Sequence, residues 1–242
     1  MIKTIFFDMD DTLYALANTN AQIEAEVKAV AYYAKKHPGL ETLSVFDIYK
    51  KARKKSDIEN IWPPEFINGQ LWYAEFLKTE GLYDKDLADK MTAVYWSTLL
   101  EKIELYYDLS FVLEKLREKY QLGIITNGRR AFQEDRLKAL GLHDLFKNKI
   151  VCSDDVGVDK PHPRIFEEGL KLLKAHKDEA VMVGNSLQDD IAGANKAGVK
   201  SIWLRRGRAF YKEPEDILEE PDAVILDFFD LEDELERLSS LK

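Results

Sequence analysis

The sequence predicts an α/β protein: a parallel sheet flanked by helices, interrupted by an inserted, all-helical unit. Short apolar runs recur at Ile5 to Phe7, Leu122 to Ile125, Ile150 to Cys152, Ala180 to Val183, Ser201 to Leu204 and Ala223 to Leu226. Each is bounded by turn or capping residues, the pattern of strands buried on both faces. Between the later runs lie helical patterns over Ala131 to Leu140, Arg164 to Leu173 and Leu187 to Ala197, each closed by Gly, Lys or His stop signals. Alternation of strand and helix implies parallel pairing with right-handed crossovers.

From about residue 17 to about residue 102 the alternation stops. Amphipathic helical patterns run over Ala21 to Lys35, Leu71 to Glu80 and Leu87 to Leu100, without a convincing strand between them. The expected division is a discontinuous α/β domain of residues 1–16 and 103–242, with a helical domain of residues 17–102 set into it after the first strand. An insertion of this kind can act as a lid.

Composition narrows the partners. With 242 residues, 45% of them hydrophobic and 11% aromatic, the chain can bury a sizeable core. The formal net charge of -9 repels nucleic-acid backbones and anionic lipid alike, and no local basic patch offsets it. Small molecules are the expected partners, with neither a nucleic-acid polymer nor a membrane among them; oligomeric state is not readable. The single cysteine, Cys152, can make no intramolecular disulfide, no Cys/His cluster has zinc-ligand spacing, and no apolar run approaches spanning length. A cytoplasmic location is the expectation.

Four short segments carry chemistry. Asp8-Met9-Asp10-Asp11-Thr12 follows the first apolar run directly, so its carboxylates project from the carboxyl end of a strand, where open α/β sheets bind their ligands. Taken alone, the segment also suits a strand-ending turn capped by Asp10, Asp11 or Thr12. Clustered carboxylates repel one another unless one is protonated or a hard, oxygen-seeking cation lies among them, and Mg²⁺ is the natural choice. Asp8 is then a candidate nucleophile toward phosphorus, and Asp10, two residues on, a candidate acid and base.

Thr126-Asn127-Gly128 ends a second strand, where the hydroxyl and the following backbone amides can hold a phosphoryl oxygen; a turn with a helix cap is the plain alternative. Lys160, before Pro161 and near a helix start, is a candidate anion-binding ammonium beside the nucleophile, or else a solvated surface lysine. In the fourth segment, Gly184-Asn185-Ser186-Leu187-Gln188-Asp189-Asp190, two acids enter a helix's first turn, which also simply suits the helix dipole. For all these turns to be unrelated, separate coincidences would have to fall at the carboxyl ends of different strands, so one shared site is the better account.

In order and content these segments resemble the motifs of the haloacid dehalogenase-like hydrolase superfamily, along nearly the whole chain. The resemblance implies a Rossmann-like parallel sheet core with an inserted α-helical cap domain of the C1 type. It implies a phosphatase that hydrolyses phosphomonoesters through an aspartyl-phosphate on Asp8. Asp10 would be the acid/base and would bind Mg²⁺ through its main-chain carbonyl. Thr126, Asn127 and Lys160 would hold the phosphate, and Asp190 would belong to the metal site. Asn185 stands where the family's fourth motif has aspartate, so an amide oxygen replaces a carboxylate, and Asp189 is a candidate to compensate. Gln133, Arg136-Leu137, Gly141-Leu142 and Asp155-Val156-Gly157-Val158 are similar to a branch containing nucleoside 5'-monophosphatases.

The family's dehalogenases share the nucleophile position but lack the second acid, so Asp10 argues against them. A phosphomutase is the alternative enzyme, and a catalytically weak phosphate-binding or regulatory protein the alternative from another class, to which only Asn185 points. Arg129 and Arg130 are candidates for holding an anionic substrate, or equally solvated arginines at a helix start. The aromatic cluster Trp62-Pro63-Pro64-Glu65-Phe66 with Asn68, Trp72 and Tyr73 offers rings that could stack on a base, but aromatics at helical spacing are more often core, and they are assigned to no site.

Overall fold

A computed structural model describes residues 1–16, 20–36, 73–74, 77–78, 81–206 and 220–240. The chain divides into two compact units, Met1–Ala15 with Glu104–Lys242, and Leu16–Ile103.

The first unit is an α/β layer structure. Its strands are β1 (Thr4–Phe7), β2 (Gln121–Thr126), β3 (Ile150–Cys152), β4 (Ala180–Gly184), β5 (Lys200–Leu204) and β6 (Ala223–Ile225), in the sheet order β3-β2-β1-β4-β5-β6. Every pairing is parallel. β1 lies at the centre, Phe7 level with Ile124 of β2 on one side and with Val183 of β4 on the other. Each of its residues is buried, which is why it reads as an unbroken apolar run rather than an alternation. Between β2 and β4 the strand order changes direction, and the crevice at such a switch point is where ligands of open sheets bind.

The helices of this unit are α3 (Tyr107–Lys119), α4 (Arg130–Ala139), α5 (His143–Phe146), α6 (Ser153–Val156), α7 (Pro163–Leu173), α8 (Ala192–Ala197) and α9 (Leu231–Ser240). Helix α7 opens on Pro163, where a missing N–H costs nothing, and buries Ile165, Phe166 and Leu173 with Phe6, Ile125, Val151 and Met182 of the sheet. Neither α3 nor α9 is among the helices expected from the sequence pattern; each flanks an expected strand.

One helix differs from the pattern. Leu187 to Ala197 is not one α-helix: residues Leu187–Ile191 form a π-helical turn, and only Ala192–Ala197 is α-helical. The Ile191 N–H reaches back five residues to the Ser186 carbonyl, 3.1 Å away. The widened turn leaves Asp190 folded against the start of its own segment, its carboxylate accepting from the Ser186 N–H at 2.9 Å. Such turns recur at functional sites.

In the second unit, α1 (Asn20–Ala34) and α2 (Lys85–Leu100) bury Ala29, Val30 and Tyr33 against Leu87, Ala88 and Met91, together with Tyr73 and Leu77. Asp84 caps α2, its carboxylate accepting from the Leu87 N–H at 2.9 Å. Tyr73 thus belongs to this core, while Trp62 to Trp72 lie outside the described residues. Among the described residues no helix is long and apolar enough to cross a membrane.

Candidate active site

Asp8 is the first residue beyond β1. Its N–H continues the ladder to the Val183 carbonyl at 3.0 Å, so the carboxyl end of the central strand fixes where its side chain starts. The chain then turns sharply. The Thr12 and Leu13 N–H groups return to the Met9 carbonyl, with Asp11 in the left-handed region at φ 61°, a conformation aspartate tolerates better than most residues.

Lys160 closes the site from the segment before α7. Its ammonium donates to Asp8 Oδ1 at 2.6 Å, to Asp190 Oδ1 at 2.7 Å and to the Ile125 carbonyl at 3.1 Å. Three N–H donors therefore meet three acceptors, and all three side chains are buried. A buried ammonium so placed is not a solvated lysine. Burial alone would pull its pKa down, but Asp190 and Asp8 hold it above the ordinary lysine value. One cation facing several carboxylates leaves the cluster negative. Burial pushes the Asp8 carboxyl up to about 7, with Lys160 pulling against it and the charges of Asp190 and Asp10 adding to it.

Asn127 holds Lys160 in place. Its Oδ1 accepts from the Lys160 N–H at 2.8 Å and its Nδ2 donates to the Lys160 carbonyl at 3.3 Å. The side chain is thereby spent on Lys160, so any contribution of Asn127 to phosphate falls to its main-chain amide. Thr126, buried at the end of β2, takes a bond from Gln133 Nε2 at 3.3 Å, and the same amide donates to the Asn127 carbonyl at 2.8 Å.

At the end of β4, Gly184 is required by crowding. A Cβ there would lie 2.2 Å from Asp190 Oδ2, inside any allowed contact, so only glycine lets that carboxylate lie against the strand. With Oδ1 on Lys160 and Oδ2 on the Ser186 N–H, both Asp190 oxygens are engaged. Asn185 Oδ1 lies 3.0 Å from the Thr12 hydroxyl, whose oxygen is also 3.2 Å from Asp8 Oδ2. Asp189 receives a cap from Ser186, its N–H donating to Oγ at 3.1 Å; burial first, then the charge of Asp190, pushes its carboxyl above the ordinary range.

The side chain of Asp10 has partners of its own. Its Oδ1 accepts from the buried Tyr14 phenol, and its Oδ2 lies 3.7 Å from Nη1 of Arg136, a guanidinium 2% exposed. Arg136 in turn donates to Gln133 Oε1 at 2.7 Å. Tyr14 escapes a reading by motif because tyrosine after an apolar residue resembles core. Arg130 is paired with Asp155 at 2.6 Å and with the Ile150 carbonyl at 3.1 Å, a link between α4 and β3; Arg129 is exposed.

The donors near Asp8 suit a hard cation. Asp8 Oδ2, the Thr12 hydroxyl and Asn185 Oδ1 are all oxygens, and the one hydroxyl proton cannot serve both of its acceptors. A small dication with oxygen ligands relieves that crowding.

These features meet in comparisons with known proteins. The profile of the haloacid dehalogenase-like hydrolases matches residues 2–198, and the chain belongs to that family. Within it the chain stands with the phosphatases, hydrolases of phosphoric monoesters. A glyceraldehyde 3-phosphate phosphatase of Methanopyrus kandleri is 32% identical over 92% of each chain. An N-acylneuraminate-9-phosphatase of Rattus norvegicus is 28% identical, covering 85% of this chain and 83% of the relative. Among solved structures, a 2-haloacid dehalogenase from Pseudomonas syringae superposes with a TM-score of 0.69 at 30% identity, over 98% of this chain and 99% of that one.

Proposed function

We propose that the chain is a Mg²⁺-dependent phosphomonoesterase for a small phosphorylated metabolite, working through an aspartyl-phosphate on Asp8. The observation that carries this reading is the buried Lys160 ammonium bonded to Asp8 Oδ1 at 2.6 Å, at the switch point of the sheet and beside a second acid, Asp10. Halide displacement has no use for that acid.

Asp8, the main-chain carbonyl of Asp10 and Asn185 would hold the metal, with Asp190 and Asp189 adding negative charge behind them. Bound there, Mg²⁺ would supply charge neutralisation for phosphoryl oxygens and hold Asp8 ionised. Lys160, Thr126 and the main-chain amides after Thr126 would bind the phosphoryl group. An Asp8 oxygen attacks phosphorus as the bond to the ester oxygen breaks, and Asp10 gives that oxygen its proton. Water then attacks the phosphorus, the bond to Asp8 breaks, and Asp10 takes the water's proton. Ester and water become alcohol and inorganic phosphate, with both carboxyls restored. The helical unit of residues 16–103 would serve as the cap.

The test is release of inorganic phosphate from a panel of phosphomonoesters with Mg²⁺ or with EDTA. Nucleoside 5'-monophosphates, triose phosphates and sugar-acid phosphates stand first in the panel. Release that needs Mg²⁺ and disappears in Asp8→Asn supports the reading. Isomerised ester without released phosphate would make the chain a mutase, and turnover that survives Asp8→Asn would refute the covalent route.

A further inference from the structure

We infer that Tyr14 and Arg136 are positioning residues for Asp10, gripping its carboxylate from two sides so that it exchanges its proton at one fixed point. The inference rests on the phosphatase reading, which makes Asp10 the acid and base.

The grip is built into the fold. The turn that carries Asp11 at φ 61° returns the chain so that Tyr14, four residues on, lies beside Asp10. The backbone of Tyr14 is bridged to Leu105, and the Leu13 carbonyl accepts from the Tyr106 N–H at 3.0 Å, so the phenol is delivered from an anchored backbone. Tyr14 is fully buried, and its hydroxyl donates to Asp10 Oδ1.

Arg136 comes from α4, an element remote in sequence. A buried guanidinium is costly to desolvate; Asp10 Oδ2 lies 3.7 Å from its Nη1, and Gln133 braces it at 2.7 Å. Gln133 also bonds the Asn127 carbonyl and Thr126, and Asn127 clamps the backbone of Lys160. The acid/base is thus tied through side chains to the group that pairs with the nucleophile. The Asp10 side chain keeps 24% of its surface exposed while Arg136 keeps 2%. The buried pair holds, and the carboxylate between them faces outward. With each oxygen given a different partner, rotation of the carboxylate is restricted, and fixed geometry is what proton transfer in a transition state rewards.

Tyr14→Phe keeps the ring and removes only the hydroxyl. With an alkyl phosphomonoester and saturating Mg²⁺, kcat should fall about tenfold while KM stays within about twofold, the signature of an interaction used in the transition state. With p-nitrophenyl phosphate the leaving group needs no proton but the attacking water still must lose one. The variant should therefore show a burst of nitrophenol stoichiometric with enzyme, and acid quenching should trap phosphoenzyme. Arg136→Lys should keep more of kcat than Arg136→Met, at matched folding by circular dichroism. Wild-type kcat in Tyr14→Phe, or a change confined to KM, overturns the inference, as does an Arg136→Lys no better than Arg136→Met. Absence of Mg²⁺-dependent turnover in the wild type, or its survival in Asp8→Asn, strikes the phosphatase reading itself and the inference with it.

Discussion

The Lys160 ammonium lies 2.6 Å from Asp8 Oδ1 in the interior of the α/β unit, and Asp190 stands on its other side at 2.7 Å. Such a cluster holds only while the cation is present. Lys160→Met would leave two buried carboxylates facing each other, a loss of roughly 3–5 kcal/mol by analogy with other broken buried pairs. Without the cation the Asp8 carboxyl, already raised by burial, loses the charge that pulls it back down. Unfolding then releases protons, so the damage grows as pH rises through the window from the ordinary carboxylate pKa to about 7 and beyond. Chemical denaturation of the metal-free variant should show a larger deficit against wild type at pH 8 than at pH 5. An equal deficit at both would mean that Lys160 acts through packing alone.

Metal affinity should carry the same titration. Mg²⁺ binds a carboxylate and not a carboxylic acid, and Asp8 in the metal-free protein is pushed up to about 7. Affinity should therefore weaken as pH falls through 7, by about tenfold between pH 8 and pH 6, with up to one proton released per metal bound. Trp203 offers the readout, since its indole N–H donates to the Asn185 carbonyl at 3.0 Å. Fluorescence titration with Mg²⁺ at the two pH values measures the shift; a pH-independent affinity would remove Asp8 from the metal's ligands.

Much of this arrangement was legible in the sequence for a physical reason. β1, β2 and β4 are buried on both faces, so they stand out as apolar runs, and the residues at their carboxyl ends, Asp8, Thr126 and Gly184, are thereby placed before any coordinate is known. A place for Lys160 beside Asp8 was expected from the sequence, but its second carboxylate was not, since nothing local says that an ammonium at 160 also reaches Asp190. Tyr14 and Arg136 were missed as parts of the site for a related reason: each looks like an ordinary residue of its own element, and only the tertiary fold sets them around Asp10. The π-helical turn at Leu187–Ile191 was invisible too, because the apolar spacing of an α-helix tolerates one widened turn.

Asn185 makes a prediction of opposite sign with and without metal. Its Oδ1 is 3.0 Å from the Thr12 hydroxyl, which also lies 3.2 Å from Asp8 Oδ2. Asn185→Asp adds a negative charge to a cluster already short of cations. In EDTA the variant should melt below wild type; in saturating Mg²⁺ the order should reverse, and the Mg²⁺ concentration for half-activation should drop roughly tenfold, about 1.4 kcal/mol of added binding. Half-activation at an unchanged or higher concentration would place Asn185 away from the metal.

Gly184 offers a separation of fold from chemistry. A Cβ at this position would sit 2.2 Å from Asp190 Oδ2 and 2.3 Å from Cγ, and Asp190 has little freedom to move because Lys160 and the Ser186 N–H hold its two oxygens. Gly184→Ala should therefore push Asp190 off Lys160, costing roughly 1–3 kcal/mol as overpacking of a close-packed interior does and lowering kcat at least tenfold as the ammonium shifts from Asp8. Gly141→Ala is the control. That glycine follows α4 with φ at 71° and has open space around its Cβ position, so the substitution carries only the strain of a left-handed alanine, about 1 kcal/mol. Both variants should melt below wild type, but only Gly184→Ala should lose turnover. Equal kcat in the two would show that the close approach of Asp190 to the end of β4 serves folding and not the reaction.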